Sequence, residues 1–324
     1  MPTREQALIQ AIFAPLTAGF EGAVHLRDDA ASFTPAPGMD LVVTTDSLVA
    51  DVHFLRNDDP ALIAKKALRV NLSDLAAKGS VARAYLLAIA LSPSEDEAWL
   101  KRFARGLEED QERFGCALIG GDTVAKPGPL SLTITAFGEV PAGRIVRRGG
   151  GRAGDMLFVS GTIGDGALGL RAAQGKFQGQ AADDLKQRYW LPQPRVELAP
   201  VLLAHAHAAM DISDGLIGDL GMLCEASGLS AEIVAEKVPL SAGARSLVAG
   251  DPSLLETCLT GGDDYEILCA IPPERAPAFA QEAAAACIPV TAIGQMVEGS
   301  NPPLCRDAAG RPMTFARSSY SHIP

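Results

Sequence analysis

The residues of this sequence that are best suited to chemistry are aspartates that recur at the ends of apolar segments. At such positions a chain leaves a strand, and its side chains can point into a cleft. Two carboxylates within about 4–6 Å repel and raise one another's pKa unless they share a cation. Hard oxygen ligands suit Mg²⁺, so the recurrence predicts a magnesium site, although each aspartate alone is typical of a turn or helix cap. These aspartates are Asp28, Asp29, Asp46, Asp122, Asp211 and Asp214.

Two segments have glycines next to aspartates: Gly120-Gly121-Asp122-Thr123 and Gly261-Gly262-Asp263-Asp264-Tyr265. Glycine lets backbone amides approach a phosphate while the acid holds a metal ion, but ordinary tight turns use the same residues. The sequence has no G-x-x-x-x-G-K-[ST] segment and no H-R-D or D-F-G set, which excludes a P-loop ATPase and a protein kinase. Residues 211–215 lack the spacing of a calcium-binding loop.

Three further positions admit both a functional and a structural interpretation. Asp74 lies in an otherwise apolar helical segment, where Asp is a poor helix former. It either serves a site or pairs with Lys78, which would be worth about 0.3–0.5 kcal/mol. His53 either contacts a substrate or packs against its neighbours. Arg147 or Arg148 either neutralises a phosphate or belongs to a solvated linker.

The apolar pattern predicts the elements that hold these residues. In the first half, strands are expected at residues 41–45, 85–91, 117–119 and 130–140, and helices at about 60–78 and 96–114. In the second half, strands are expected at 156–160, 210–212 and 265–271, and helices ending near 175, beginning at 216 and covering 278–286. Asp46 would then directly follow its strand, and Asp122 would follow a strand and a Gly-Gly turn.

The composition is that of a globular protein with an aliphatic core: 48% of the 324 residues are hydrophobic, 5% aromatic and 21% charged. This length favours two domains of about 150 residues. Residues 141–154 are rich in Gly and Arg, and they predict a boundary between domains 1–145 and 146–324.

Charge and cysteine content limit the function classes. The formal charge of −11 disfavours binding to nucleic acid or anionic lipid. The six cysteines lie at least 11 positions apart, without metal-binding spacing, so they are expected to be reduced and structural. No stretch of about 18 apolar residues predicts a membrane span, and the N-terminal segment has helical rather than signal-peptide character. These features predict a cytoplasmic protein.

Several motifs follow one another in a fixed order: Asp28-Asp29-Ala30, Thr44-Thr45-Asp46-Ser47-Leu48-Val49, His53-Phe54, Lys66-Ala67-Leu68, Asn71-Leu72-Ser73-Asp74-Leu75-Ala76-Ala77, Gly120-Gly121-Asp122-Thr123, Asp211-Ile212-Ser213-Asp214-Gly215-Leu216 and Gly261-Gly262-Asp263-Asp264-Tyr265-Glu266. In order and spacing they resemble the bacterial thiamine-monophosphate kinase family, within the aminoimidazole-ribonucleotide-synthetase-like ATP enzymes. The resemblance covers nearly the whole chain, from the N-terminal helix to Ser319-Tyr320-Ser321-His322.

The resemblance implies an α/β (α+β) fold of two domains and a homodimer, in which N-terminal sheets pair into a barrel and a C-terminal α/β sandwich closes the active-site cleft. It implies ATP and thiamine monophosphate as substrates and several Mg²⁺ ions, with Asp46, Asp74, Asp122 and Asp211 as catalytic residues. The implied metal ligands are Asp29, Thr44, Thr45, Asp46, Asp74, Asp122, Asp211 and Asp214. The implied ATP contacts are Gly121, Asp122, Arg147 and Ser213, and the implied contacts of thiamine monophosphate are His53, Asp263 and Tyr320.

The implied reaction is direct in-line transfer of the γ-phosphoryl group of ATP to the phosphate of thiamine monophosphate, giving thiamine diphosphate and ADP. Two positions depart from the family pattern. Arg27 stands where a glycine usually precedes Asp-Asp, which affects the turn, and Asp263 stands where Glu is usual, which shortens a substrate contact by one methylene.

Two other interpretations stay open at this point. One is a member of the same superfamily with another acceptor, as in the synthesis of aminoimidazole ribonucleotide or selenophosphate. Selenophosphate synthesis needs a reactive Cys or selenocysteine near the N-terminus, whereas the first cysteine here is Cys116. The other is a non-catalytic nucleotide- or calcium-binding module, which would release no ADP in response to thiamine phosphate.

Overall fold

The computed structural model describes residues 3–320 and divides the chain into two compact units. The first unit extends to Leu75 and continues with Ser80–Gly143, and the second unit combines Ala76–Gly79 with the chain from Arg144 onward. Each unit contains one β-sheet together with helices. The predicted α/β (α+β) class is therefore confirmed.

The first unit is built on a four-stranded sheet with the order β1-β4-β2-β3. Its strands are β1 (Met39–Val49), β2 (Val81–Leu91), β3 (Ala117–Ala125) and β4 (Ser131–Pro141). Strand β4 is antiparallel to both β1 and β2, whereas β2 and β3 are parallel. Leu132, Ile134 and Ala136 of β4 are buried, which confirms the predicted inward alternation.

The helices of the chain's first half are α1 (Arg4–Leu8), α2 (Pro60–Ala77) and α3 (Glu97–Phe114). Helix α2 begins as predicted, with Pro60 in its first turn and the Asp59 carboxylate accepting the Ala61 N–H at 2.8 Å. Helix α3 is capped by Asp96, whose carboxylate accepts the Trp99 N–H at 2.8 Å. These caps explain why both helix starts could be read from the sequence.

The second unit is built on a six-stranded sheet with the order β10-β7-β9-β5-β8-β6. Its strands are β5 (Met156–Ser160), β6 (Ala208–Ile212), β7 (Ser230–Val234), β8 (Glu266–Ile271), β9 (Val290–Val297) and β10 (Leu304–Arg306). Its helices are α4 (Asp165–Ala173), α5 (Gln180–Trp190), α6 (Ala199–His205), α7 (Leu216–Ser227), α8 (Ala242–Gly250), α9 (Leu254–Thr260) and α10 (Ala276–Ala285).

Both faces of the six-stranded sheet are buried. Leu157 and Val159 of β5 belong to one core cluster, which includes residues of α7, whereas Phe158 belongs to another cluster with Leu202 of α6 and Phe279 of α10. Successive residues of one strand thus enter cores on opposite faces. This layering of helices on both faces is the α/β sandwich predicted for the second half.

Two aspartates lie inside strands, contrary to the sequence prediction. Asp46 is part of β1, because the ladder with β4 continues beyond it to the end of the strand. Asp122 is part of β3, and the two preceding glycines, Gly120 and Gly121, also pair with β2. The predicted Gly-Gly turn is therefore wrong, since pairing with a neighbouring strand overrides the local tendency of glycine to form turns.

All six cysteines are free thiols, as predicted, and all but Cys287 are buried. Burial raises the pKa of the Cys116 thiol to about 12, which keeps it protonated and unreactive at neutral pH. Among the helices within residues 3–320, none is long and apolar enough to cross a membrane.

Candidate active site

A cavity of about 580 Å³ lies within the first unit and is lined by the N-terminal segment and the sheet. Four of the predicted site residues line it: Asp28 and Asp29 from the segment between the N-terminal helices and β1, and Gly121 and Asp122 from β3. The rest of the wall is largely apolar and includes Ile9, Phe13, Leu26, Phe33, Leu86 and Phe137. The cavity thus combines an apolar wall with carboxylates, as pockets for small molecules with a charged end do.

The backbone at Gly121 fits only glycine. Its φ is 153°, and a Cβ atom there would lie 1.8 Å from the Leu87 carbonyl oxygen of β2. At the neighbouring Gly120, a Cβ would come no closer than 3.1 Å to the Leu86 side chain. The close approach of β3 to β2 therefore requires glycine at position 121 but tolerates a side chain at position 120.

Strand β1 directs its predicted site residues to opposite faces of the sheet. The Thr44 hydroxyl donates a hydrogen bond of 2.5 Å to the Asp74 carboxylate of α2. Asp46 lies two residues further along and therefore on the same face as Thr44. The Thr45 hydroxyl lies on the opposite face, 3.0 Å from the hydroxyl of Thr135. The structure thus joins Thr44 to Asp74, places Asp46 on the same face of the sheet as Thr44, and places Thr45 on the opposite face.

Asp46 and Asp122 lie near opposite edges of the four-stranded sheet. Asp46 pairs with Ile134 of β4, which is opposite Leu87 of β2, and Leu87 in turn pairs with Gly121 of β3. Three inter-strand spacings of about 4.8 Å separate the two backbones by roughly 14 Å. A single copy of the sheet therefore does not bring these two carboxylates onto one Mg²⁺ ion.

His53 lies in the turn that follows β1. Its Nδ1 accepts the Val49 N–H at 3.0 Å, so a neutral imidazole carries its proton on Nε2. Asp51 shapes the same turn with a φ of 64° and an ion pair to Arg56. The hydrogen bond from Arg56 holds the pKa of the Asp51 carboxyl below its usual value. His53 is therefore held in one orientation by its own turn.

Two loops of the second unit are joined by backbone hydrogen bonds. The end of β6 and the loop after it, residues 212–215, are paired with the loop before β8, residues 261–265. The Asp263 N–H donates to the Ser213 carbonyl at 2.7 Å, and the Tyr265 N–H donates to the Ile212 carbonyl at 2.8 Å. The Tyr320 N–H donates to the Asp214 carbonyl at 3.0 Å. Most of the site residues predicted for the second half thus lie on connected backbone.

Both departures from the family pattern fit the local backbone. Arg27 has a φ of −109°, so its turn does not need the glycine that is usual there. Asp263 has a φ of 69°, in the left-handed region that Asp tolerates better than Glu. The shorter acid at position 263 is therefore compatible with the conformation of its loop.

Arg147 and Arg148 are both exposed. The Arg147 carbonyl accepts the Ala209 N–H at 3.0 Å, which fixes its backbone beside β6. The Arg148 guanidinium lies 3.7 Å from the sulfur of Met222. An exposed guanidinium on a fixed backbone is well suited to an anion, and the Arg147 backbone is fixed in this way.

Two buried aspartates beside these loops were not among the predicted site residues. The Asp219 carboxylate accepts the N–H groups of Asp214 and Gly215, and burial, assisted by the nearby charge of Asp214, raises its pKa to about 7. The Asp264 carboxylate accepts the N–H groups of Gly164 and Gly166, and burial raises its pKa well above the usual value. An acidic residue in the first turn of a helix was the available signal for Asp219.

The donor set of these residues suits Mg²⁺, because it consists of carboxylate and hydroxyl oxygens. Within residues 3–320, no three His, Cys, Asp or Glu side chains form a ready-made metal site. Mg²⁺ usually keeps several waters and binds through one or two carboxylates together with substrate phosphates. Asp29 and Asp122, both exposed and on one cavity, could hold such an ion.

Family models match both units of the chain. The AIR synthase related protein N-terminal domain matches residues 27–140, and the AIR synthase related protein C-terminal domain matches residues 152–303. Fold and sequence thus define an AIR-synthase-related protein. The hydrogenase maturation protein HypE in complex with ATP shares this fold, with a TM-score of 0.81 at 19% identity.

More similar proteins narrow this class. A thiamine-monophosphate kinase from Caulobacter vibrioides is 43% identical over 99% of this chain and 91% of its own length. The crystal structure of thiamine-monophosphate kinase from Stenotrophomonas maltophilia superposes with a TM-score of 0.85 at 36% identity, over 97% of this chain and 99% of that one. The structure of AaThiL complexed with AMPPCP and TMP superposes with a TM-score of 0.79 at 30% identity, over 100% of this chain and 99% of that one. The chain belongs to the thiamine-monophosphate kinase family.

Proposed function

We propose that this protein transfers the γ-phosphoryl group of MgATP to thiamine monophosphate, giving thiamine diphosphate and ADP. The observation that carries the proposal is the connected backbone of the second unit. Ser213 and Asp214, assigned to ATP and metal, are hydrogen-bonded to Asp263 and Tyr320, assigned to thiamine monophosphate. A kinase must hold its donor and acceptor phosphates side by side, and loops joined in this way support that arrangement.

The cavity of the first unit is proposed to take the nucleotide. Its apolar wall suits a purine ring, while Asp29 and Asp122 are available for Mg²⁺ on the phosphates and Gly121 offers its backbone. Thr44, Asp46 and Asp74 form the second group of oxygen donors in this unit. The full set of proposed metal ligands is Asp29, Thr44, Thr45, Asp46, Asp74, Asp122, Asp211 and Asp214.

The reaction needs positioning and charge neutralisation rather than a strong base. An oxygen of the thiamine monophosphate phosphate attacks the γ-phosphorus in line, and the β,γ-bridging oxygen leaves with ADP. The attacking phosphate is already ionised at neutral pH. Bound Mg²⁺ would neutralise the phosphate charges. Arg147 and Ser213 would orient ATP, while His53, Asp263 and Tyr320 would orient thiamine monophosphate.

We also propose that the protein is a homodimer formed through the sheet of the first unit. Leu41 and Val43 of β1 and Val81 of β2 are exposed apolar side chains on this sheet. Within residues 3–320, β1 and β3 each pair with only one strand of the sheet, so both edges offer backbone groups to a second copy. Pairing β1 with β3 of a second copy would place the strand that carries Asp46 beside the strand that carries a second Asp122.

One assay tests the proposed function. Purified protein is incubated with MgATP and thiamine monophosphate, and thiamine diphosphate and ADP are quantified by chromatography. The expected result is equal amounts of both products, with no ADP when thiamine monophosphate is replaced by unphosphorylated thiamine. ADP formation that is indifferent to thiamine monophosphate would contradict the proposal. So would MgATP binding without any turnover, which is expected of a binding module.

A further inference from the structure

Asp219 is a buried carboxylate that the proposed chemistry does not use. It lies in the first turn of α7, and none of its surface is exposed. Its Oδ2 accepts the N–H of Asp214 at 3.1 Å and the N–H of Gly215 at 3.2 Å. Its Oδ1 is buried and has no hydrogen-bond partner within the described part of the chain. One oxygen thus holds two backbone amides of the loop after β6.

Packing alone does not account for an acid at this position. Leu216, Leu220 and Leu223 of the same helix are fully buried in an aliphatic core, where another apolar side chain would add stability. A buried carboxylate oxygen without a partner costs stability instead. The compensating feature of Asp219 is therefore its contact with the loop.

The opposite side of the loop is already closed by the segment before β8. A Cβ at Gly215, whose φ is 117°, would lie 2.6 Å from the Thr260 carbonyl carbon. A Cβ at Gly262 would lie 2.4 Å from the Ser213 carbonyl oxygen. The loop is thus held by backbone contacts on one side and by the Asp219 carboxylate on the other.

We propose that Asp219 is a positioning residue that fixes the backbone of Asp214 and Gly215, so that Ser213 and Asp214 keep the conformation in which they would bind ATP and Mg²⁺. The inference rests on the function proposed above. Asp219 acts through the loop, and it is not itself a metal ligand. Its role is therefore carried by the hydrogen-bond acceptor rather than by the negative charge.

Two substitutions distinguish the role of the Asp219 side chain as a hydrogen-bond acceptor from the role of its negative charge. Asp219→Asn keeps a carbonyl oxygen that can accept the same amides, whereas Asp219→Ala removes the acceptor. The matched control is Asp165→Asn, because Asp165 is likewise buried in the first turn of a helix and likewise has an unpartnered Oδ1, but its other oxygen accepts the Thr162 hydroxyl and lies 3.6 Å from Nε of Arg188. It therefore tests the loss of a buried charge at a carboxylate that binds neither the Asp214 nor the Gly215 amide.

The measurements are the Mg²⁺ concentration for half-maximal kinase activity and, independently of turnover, Mg²⁺-dependent binding of a non-hydrolysable ATP analogue by calorimetry. Asp219→Ala is expected to raise the required Mg²⁺ concentration about tenfold, the size expected for a loop that loses two hydrogen bonds. Asp219→Asn is expected to raise it less than about threefold. Asp165→Asn is expected to leave it unchanged.

Two results would overturn the inference about Asp219. Equal losses in Asp219→Asn and Asp219→Ala would assign the role to charge and overturn the inference, as would an unchanged Mg²⁺ requirement in Asp219→Ala. If Asp219→Ala does not fold, Asp219→Ser replaces it, with an expected loss between those of the other two variants. Wild-type protein that binds the MgATP analogue but forms no thiamine diphosphate would overturn the proposed function alone, and the binding data would still test Asp219.

Discussion

In the first unit most of the proposed ligands occupy two groups near opposite sheet edges, whereas in the second unit they lie in β6 and on the loop after it, which is tied to a neighbouring loop by backbone hydrogen bonds. Thr44, Asp46 and Asp74 form one group of the first unit, while Asp29 and Asp122 share the cavity that includes β3. In the second unit, Asp211 lies within β6, and the loop after it, which carries Ser213 and Asp214, is anchored by the segment before β8. The second unit is therefore the more strongly preorganised.

The difference reflects how each group of residues is held. Backbone hydrogen bonds fix a loop before any ligand arrives, which lowers the entropic cost of binding. Neighbouring carboxylates are all negatively charged and repel each other. Their side chains take up a fixed geometry only when a cation or a partner chain joins them. We expect substitutions in the first unit to change metal use and assembly, and substitutions in the second unit to change loop geometry.

The largest effect is expected from the two sheet edges. Asp46→Asn and Asp122→Asn should each lower turnover by about 10²–10³-fold, because each removes a proposed metal ligand. If two copies complete one site, mixing the variants under conditions of subunit exchange should restore about a quarter of wild-type activity. Heterodimers would then contain one intact site and one doubly altered site.

The matched control for this experiment mixes Asp46→Asn with Asp74→Asn. Asp46 and Asp74 belong to the same group beside Thr44, so their mixture should stay inactive. Recovery in the control, or no recovery with Asp122→Asn despite verified exchange, would contradict a site shared between copies.

The next largest effect is expected at Gly121, which closes the cavity wall in the first unit. Gly121→Ala forces a Cβ against the Leu87 carbonyl oxygen, so we expect a loss of about 1–3 kcal/mol in the free energy of unfolding and a raised KM for ATP. The Cβ of Gly120→Ala would contact only the Leu86 side chain, at 3.1 Å. This substitution should therefore change the free energy of unfolding and the KM for ATP much less. Chemical denaturation and steady-state kinetics measure these effects, and equal behaviour of the two variants would contradict the argument.

A smaller effect is expected at Asp263, which lies in the preorganised second unit. Asp263→Asn keeps a residue that tolerates a φ of 69° but loses the charge, so the KM for thiamine monophosphate should rise about tenfold while the KM for ATP stays constant. Asp263→Glu keeps the charge and should lower the Tm instead, because Glu is less suited to this backbone conformation. A raised KM for ATP in Asp263→Asn would argue against a contact with thiamine monophosphate.

Local patterns explain which parts of the fold could be predicted from the sequence. The starts of α2 and α3 depend on caps a few residues away, and the strand ladder of β4 follows a simple alternation. The positions of Asp46 and Asp122 within strands depend on pairing with distant segments, which local pattern does not contain. To predict that Asp46 and Asp122 lie near opposite edges of the sheet, one must also know the order of its strands.

The buried acids Asp219 and Asp264 also differ in whether their contacts are local or distant in the sequence. Asp219 contacts the amides of residues four and five positions before it, so a first-turn acid could have been recognised. Asp264 binds the amides of Gly164 and Gly166, almost 100 positions away, and no local signal marks that contact. Residues that support a site from a distance are thus the part that sequence reasoning misses.

The smallest expected effect concerns pH and separates the buried acids of the second unit from the exposed acids of the first. Burial raises the pKa of Asp264 well above its usual value of 3.8, so the folded protein binds this proton at pH values where the unfolded chain has released it. Stability is therefore lost as the pH rises from the usual value toward the raised one. Asp264→Asn cannot titrate, so its Tm should fall less than that of the wild type as the pH rises above 3.8, the usual value of the carboxyl pKa. Parallel Tm curves for the two proteins would mean that Asp264 titrates normally and that its loop is more open to water than its burial indicates.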